Sequence, residues 1–242
     1  MSGAWSAFID MFDTATIASI IAGASALLLA APTSATGASD HVITKGKLSD
    51  RDFYRLVACA APPGGKCQKP LLKWDKAKRG AITIRITSIG KGFPSKQAKS
   101  ARAALQNAVA QINSVGSSVR LKLIAEGKPD ISVALTADTI MTRRKPRSVQ
   151  EVFELGGAGA MAEVYWPRGT TRITRARVTI TDVITTRYMT SVMLEEVVQA
   201  LGLQTDIHNR YYHNRSIFSE TGSRIQRLRS QDAKALLIRY PP

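Results

Sequence analysis

A chain of 242 residues that is 44% apolar and 21% charged has enough hydrophobic material for one sizeable domain or two small ones, which excludes a disordered protein. Its formal net charge of +16 and isoelectric point near 10.2 favour anionic partners such as nucleic acid, acidic lipid or acidic glycan, and say nothing about the fold. The charge is uneven: no Lys or Arg precedes Lys45, and Asp10 and Asp13 lie in that segment.

The first element is an apolar run from Ala15 to Ala31, broken by Pro32 and followed by small residues. Residues 1–38 therefore read as an export signal, with cleavage expected between Ala35 and Ser39. The basic stretch that should open such a signal is missing, so an uncleaved N-terminal anchor is the alternative. Export places the mature chain in the periplasm or outside the cell. Residues 39–73 form an N-terminal segment in which "ACAAPPGGKC" puts Cys59 and Cys67 in one short Pro/Gly-rich loop. An even cysteine count in an exported chain predicts a Cys59–Cys67 disulfide, with two buried thiols as the alternative.

From residue 74 to 242 the pattern predicts a single domain. "AITIRITSI" alternates as a strand with Ile82, Ile84 and Ile86 on one face. A long helix follows, opened by Pro94, striped by Ala98, Ala101, Leu105, Val109 and Ile112, and ended by Gly116. "SVRLKLIAE" and "PDISVAL" give two more strands, the first with Val119, Leu121 and Leu123 inward, the second with Ile131, Val133 and Leu135 inward. After a basic connection, "GAMAEVYW" and "ITRARVTITD" add two strands. A second helix carries Met189, Met193, Val197 and Leu201 on its buried stripe and ends near Gly202. A polar and aromatic loop, "QTDIHNRYYHNRSIFSETGS", leads to a short final helix capped by Ser230 and stopped by Pro241. The expected class is α+β: a twisted mixed sheet of about five strands with two long helices and a C-terminal helix. No glycine-rich phosphate loop follows a strand, and no nucleophile elbow offers a Ser-His-Asp arrangement.

This element order resembles the metzincin catalytic domain, as in matrix metalloproteases, from about Trp74 to Tyr240. "LLKWDK" before the first strand, "PDISVAL" as the third strand, "EEVVQALGL" as the zinc helix, "SIFS" as the Met-turn with Phe218 in the methionine's place, and "LRSQDAKALLIRY" as the closing helix carry the likeness. "DRDFYRLVACAAPPGGKC", the tryptophan, "EEVVQALGL" and "SIF" also resemble an uncharacterised bacterial family of exported proteins, domain of unknown function 2927. The metzincin resemblance implies zinc ligands at Glu195, Gln199 and Thr205 and a general base at Glu196. Only the base retains the family's residue type. Zinc prefers imidazole and thiolate, accepts carboxylate, and gains little from an amide or a hydroxyl. Asp206, His208 and His213 follow the helix and are candidate substitutes for the lost ligands. Glu195 and Glu196 point about 100° apart on a helix and do not form a shared-proton pair.

The expected function is that of a catalytically inactive envelope protein, without a cofactor, that binds a protein or peptide ligand. An atypical zinc metallopeptidase using Glu196 is the first alternative. The second is a basic module for an anionic envelope polymer or lipid, bound by Arg85, Arg120, Lys122, Arg175 and Arg177 on an outward sheet face and by Arg143 and Arg144 in a basic loop. Nucleic acid is not the expected partner, because neither stacking aromatics nor a groove-reading helix accompanies the charge.

Overall fold

The structure is a computed structural model that describes residues 41–137, 159–221 and 224–242. The leader and its cleavage positions, and Arg143 and Arg144, lie outside the described residues. In chain order the elements are β1 (His41–Ile43), α1 (Asp50–Cys59), β2 (Lys73–Trp74), α2 (Lys76–Arg79), β3 (Ile82–Ile89), α3 (Ser95–Ser114), β4 (Leu121–Leu123), β5 (Ile131–Thr136), β6 (Ala160–Tyr165), β7 (Arg172–Ile173), β8 (Arg175–Thr181), α4 (Met189–Gln199), β9 (Asp206–His208) and α5 (Ser230–Arg239).

The main sheet has five strands in the order β4-β3-β5-β8-β6. Its first four strands are parallel, and β6 runs antiparallel along β8 at the edge. The parallel step from β3 to β4 is spanned by the twenty-residue α3, the kind of crossover that parallel neighbours need. Register brings inward side chains into rows across the sheet: Ile84 beside Ile131 beside Ala176, and Ile86 beside Val133 beside Val178. α3 packs on this face together with α4. All five residues of the expected α3 stripe are buried, as are Met189, Met193, Val197 and Leu201 of the α4 stripe. The mixed α+β architecture with about five strands is the one the apolar pattern predicts.

Trp74 and Tyr240 lock the far end of α4. The Trp74 indole N–H donates to the Ala200 carbonyl at 3.0 Å. The Tyr240 hydroxyl accepts from the Trp74 amide at 3.0 Å and donates to the Leu201 carbonyl at 2.7 Å. Gly202 turns the chain there with φ +93°, and a Cβ on it would lie 2.3 Å from the Leu72 carbonyl oxygen. Both the left-handed conformation and the close approach require glycine. Cys59 ends α1 and is joined to Cys67, with Cα atoms 5.1 Å apart.

Several expectations are corrected. Leu123 is 40% exposed rather than inward, because β4 is a three-residue edge strand that ends there. Arg120 precedes β4, and its guanidinium folds back onto the Ser117 and Val119 carbonyls instead of standing on the sheet face. Ser230 does not cap α5: it is the first helical residue, at φ +52°, and Arg229 occupies the cap position without a side-chain bond. The polar stretch after α4 is not all loop, since Asp206–His208 pairs in parallel with His41–Ile43. Among the described residues no helix is long and apolar enough to cross a membrane.

Candidate functional site

The site region is the exit of α4, where the chain passes from Glu195 through Gly202 into β9. Glu196 sits on the buried side of α4 at 7% exposure, next to Val197 and Val198, while Glu195 and Gln199 are half-buried one turn apart. The Gln199 side-chain amide donates to Asp206 Oδ1 at 3.0 Å, so the helix and β9 are bridged at this point. Thr205 is fully enclosed: its amide donates to the Val57 carbonyl at 3.1 Å, and its hydroxyl has no hydrogen-bond partner among the described residues.

The electrostatics are those of crowded carboxylates with little water. Burial pushes the Glu195 carboxyl well above its ordinary range, and the charges of Asp206, Glu196, Glu220 and Asp232 push it further. Burial, followed by Asp206, does the same to Glu196. One Glu196 oxygen, Oε2, has no hydrogen-bond partner among the described residues. A carboxyl in this setting is stabilised as the neutral acid, since its charged form lacks both solvent and a cation.

The three side chains that the resemblance assigns as ligands do not fit a zinc ion. Glu195 alone offers a carboxylate, Gln199 turns its amide nitrogen toward Asp206, and Thr205 offers a hydroxyl that does not ionise readily. The substitutes are dispersed. Asp206 accepts from Gln199; the His208 ring lies against His41 with centroids 5.5 Å apart; His213 Nδ1 is 3.0 Å from the Thr221 hydroxyl. His41 in turn lies 3.7 Å from Glu220. Among the described residues no three His, Cys, Asp or Glu side chains are grouped to hold a metal.

Beyond β9 the segment of residues 216–219 is built on a buried acid. Asp232, at 1% exposure, accepts from the Ser216 hydroxyl at 2.6 Å and the Ile217 amide at 3.0 Å. Burial pushes its carboxyl up to about 7 against the pull of those two donors and of Arg229. Phe218 is fully buried, with its ring edge-on to Phe53 at 6.1 Å. Sequence reasoning missed the role of Asp232; the "SQD" at the helix start carried the signal, but was read as a cap.

The basic sheet face is real in part. Lys122, Arg175 and Arg177 are exposed, and Arg85 is half-buried. Yet Arg85 donates to the Ala125 carbonyl, Arg175 lies over the Tyr165 ring at 4.2 Å, and Arg177 stands opposite Glu163 in the β6–β8 ladder. A second basic feature was missed altogether. A hollow of about 770 Å³ lies between residues 44–46 and 209–215, lined by Lys45, Arg210, His213 and Arg215. "NRYYHNR" was its only trace in the sequence, cations interleaved with aromatics and amides.

Residues 52–242 match the family described as protein of unknown function (DUF2927), and the chain belongs to that family. No curated protein matches the chain.

Proposed function

We propose that this DUF2927 domain is an exported, metzincin-like domain of the cell envelope that binds a protein or peptide segment without cleaving it. One observation carries the reading: the bond from Gln199 to Asp206 at 3.0 Å, which commits the position of an expected zinc ligand to an internal bridge. The metzincin likeness is supported by the element order, by the glycine turn at the end of α4 and by buried Phe218 in the Met-turn-like segment. Those parts serve packing and chain direction. The parts a hydrolytic zinc centre would need are the ones that differ.

A binding mode follows from the sheet. Among the described residues no strand pairs with the outer edge of β6, which lies beside α4. An edge strand presents a row of backbone donors and acceptors, so an extended peptide can add to it as a further strand.

The competing reading is an atypical metallopeptidase with Glu196 as general base, favoured by the unpartnered Glu196 Oε2. Elemental analysis of purified, dialysed protein, run alongside a peptide-cleavage assay, decides between them. The expected result is zinc far below one equivalent and no cleavage. Glu196→Gln then leaves peptide binding intact and shifts stability by no more than ~1–3 kcal/mol, the range for a disturbed buried polar group. One equivalent of zinc, with cleavage that disappears in Glu196→Gln while metal and fold remain, would overturn the proposal.

A further inference from the structure

We infer that the groove between residues 44–47 and 209–215 is a binding site for an acidic glycan, a polymer of sugars bearing carboxylate or phosphate groups. This site is separate from the β6 edge and does not depend on the peptide-binding reading.

The first support is charge without compensation. Lys45, Arg210 and Arg215 line the hollow, no Asp or Glu lines it, and none of the three pairs with a carboxylate among the described residues. The sheet face differs in that a carboxylate, Glu163, stands opposite Arg177 there. Lys45 and Arg210 are exposed and have no hydrogen-bonded or ionic partner among the described residues, so they are left to meet an anion, while Arg215 is held by Tyr211 alone.

The second support is construction. Asn209 is buried and joins both walls: its side-chain nitrogen donates to the Thr44 hydroxyl and the Gly46 carbonyl, each at 2.8 Å, and its oxygen accepts from the Tyr211 amide at 2.9 Å. The Arg215 guanidinium is held over the Tyr211 ring at 4.7 Å and donates one N–H to the Tyr211 carbonyl at 3.0 Å. One edge of its fork is thereby fixed and the other remains for a ligand. Guanidinium forks match the planar oxygens of carboxylate and phosphate.

The third support is shape. A second hollow of about 450 Å³ shares Tyr211 and Arg215 with the first and continues past Lys47, Arg229 and Lys234; Asp50, paired with Lys234, and the buried Asp232 also line it, so the excess of cations is smaller there than in the first hollow. A trough of two joined hollows suits a chain rather than a single small anion. Its neutral groups, the Thr44 hydroxyl and the Asn214 amide, suit sugar hydroxyls. Cations at intervals along such a trough match charge repeated along a polymer. A membrane surface would instead call for an apolar rim, and Ile43, 72% exposed, is the only exposed large hydrophobic beside the groove among the described residues.

The test uses the full chain in low-salt buffer, with labelled polygalacturonate as the carboxylate probe and phosphomannan as the phosphate probe. Dextran is the neutral control, and vesicles of equal phosphatidylglycerol and phosphatidylcholine form the membrane arm. Binding of either acidic polymer, weakened by salt and absent with dextran, is expected; which of the two binds identifies the acid group. Arg210→Glu should weaken binding by roughly tenfold or more, the size of one lost charge-assisted contact. Among the described residues the Arg210 side chain makes no hydrogen bond or ion pair that the change would break, so this variant should melt as the parent does. Arg215→Ala should weaken binding similarly, and Arg175→Ala/Arg177→Ala should leave it within about twofold, the scale of distant screened charges. Failure of both polymers to bind, equal loss in the sheet-face variant, or capture by vesicles but not by either polymer would each overturn the inference.

Discussion

The sheet with α3 and α4 and the seam formed by residues 41–48, 204–221 and the start of α5 are held together by different means. The first is a layer of aliphatic rows, Ile84, Ile131, Val133 and Val178 against Ala101, Leu105, Met193 and Val197, in which stability is spread over buried area. The second contains Leu48, Ile207, Tyr212, Ile217 and Phe218, but is fastened by a few polar bonds. Tyr212 Oη accepts from the Leu48 amide and donates to Gln231; Gln231 donates to the Leu48 carbonyl and Asp50; Asp232 holds Ser216 and Ile217; Asn209 holds Thr44 and Gly46. Area tolerates small changes anywhere, whereas a buried polar bond lost from one side leaves its partner stranded. The seam also carries the proposed groove, so its specificity comes from the same bonds that make it vulnerable.

The largest expected effect tests whether area really dominates the first region. Trp74→Ala removes a fully buried indole and its bond to Ala200 and should cost about 3–5 kcal/mol in denaturant unfolding. A loss below that range would mean that the sheet layer closes over the cavity, and that the contrast with the seam is smaller than drawn.

Asp232→Ala sharpens the other side of the contrast. It leaves the Ser216 hydroxyl proton without its acceptor and the Ile217 amide unpaired, and should cost about 3 kcal/mol, with the groove loosening before the sheet does in hydrogen exchange. The wild-type residue also gives the seam a pH signature. Its carboxyl is raised from 3.8 in the ordinary range to about 7 in the folded protein. Between those values the folded state keeps a proton that the unfolded chain has released, so stability falls as pH rises through the window and levels off above it. Glu195 and Glu196, also raised, act in the same direction. Asp50, Asp75 and Asp130 are lowered by their partners and act oppositely, but only where pH drops below the ordinary carboxylate range. Unfolding titrations from pH 4 to pH 8 should show the fall in the parent and a shallower slope, less by about 1 kcal/mol per pH unit, in Asp232→Asn.

The smallest effect concerns the disulfide loop, which belongs to neither layer. Changing Cys59 and Cys67 to Ser should cost ~2–3 kcal/mol in the chain-entropy model. The Gln68 and Lys69 amides still reach the Cys59 carbonyl, and Arg55 still reaches the Gly65 carbonyl, so the loop should remain in place. A loss that spreads to the sheet would show that the loop is a structural member of the core.

The same division decides what the sequence reveals. Periodicity marks a face wherever a long element meets a broad apolar surface, which is why the α3 and α4 stripes and the inward residues of β3, β5 and β8 are legible residue by residue. It has no purchase on β1 with β9 or β2 with β7, three- and two-residue pairs whose partners lie far apart in the chain. Alternation placed Leu123 and Arg120 by counting, and counting fails where a strand is too short to impose its pleat. In the candidate site, Glu195, Glu196, Gln199 and Thr205 were singled out by resemblance alone. The bridge to Asp206 was not, because a side-chain hydrogen bond leaves no period. Ser230 illustrates the same limit: Ser-x-Asp reads as a local cap, but its aspartate serves residues fifteen and sixteen positions earlier.

The joint between Trp74, Leu201 and Tyr240 has a mechanical consequence. Tyr240 has its hydroxyl anchored to chain segments that lie far upstream. Its own carbonyl accepts from the Ser118 amide at 3.0 Å, which ties the same residue to the turn before β4. A pull on the chain at Tyr240 is therefore taken up at once by three separated stretches of backbone, rather than by peeling α5 away turn by turn. Under tension the domain should yield at that joint in a single event, and Tyr240→Phe, which keeps the ring but removes both hydroxyl bonds, should lower the force at which it lets go.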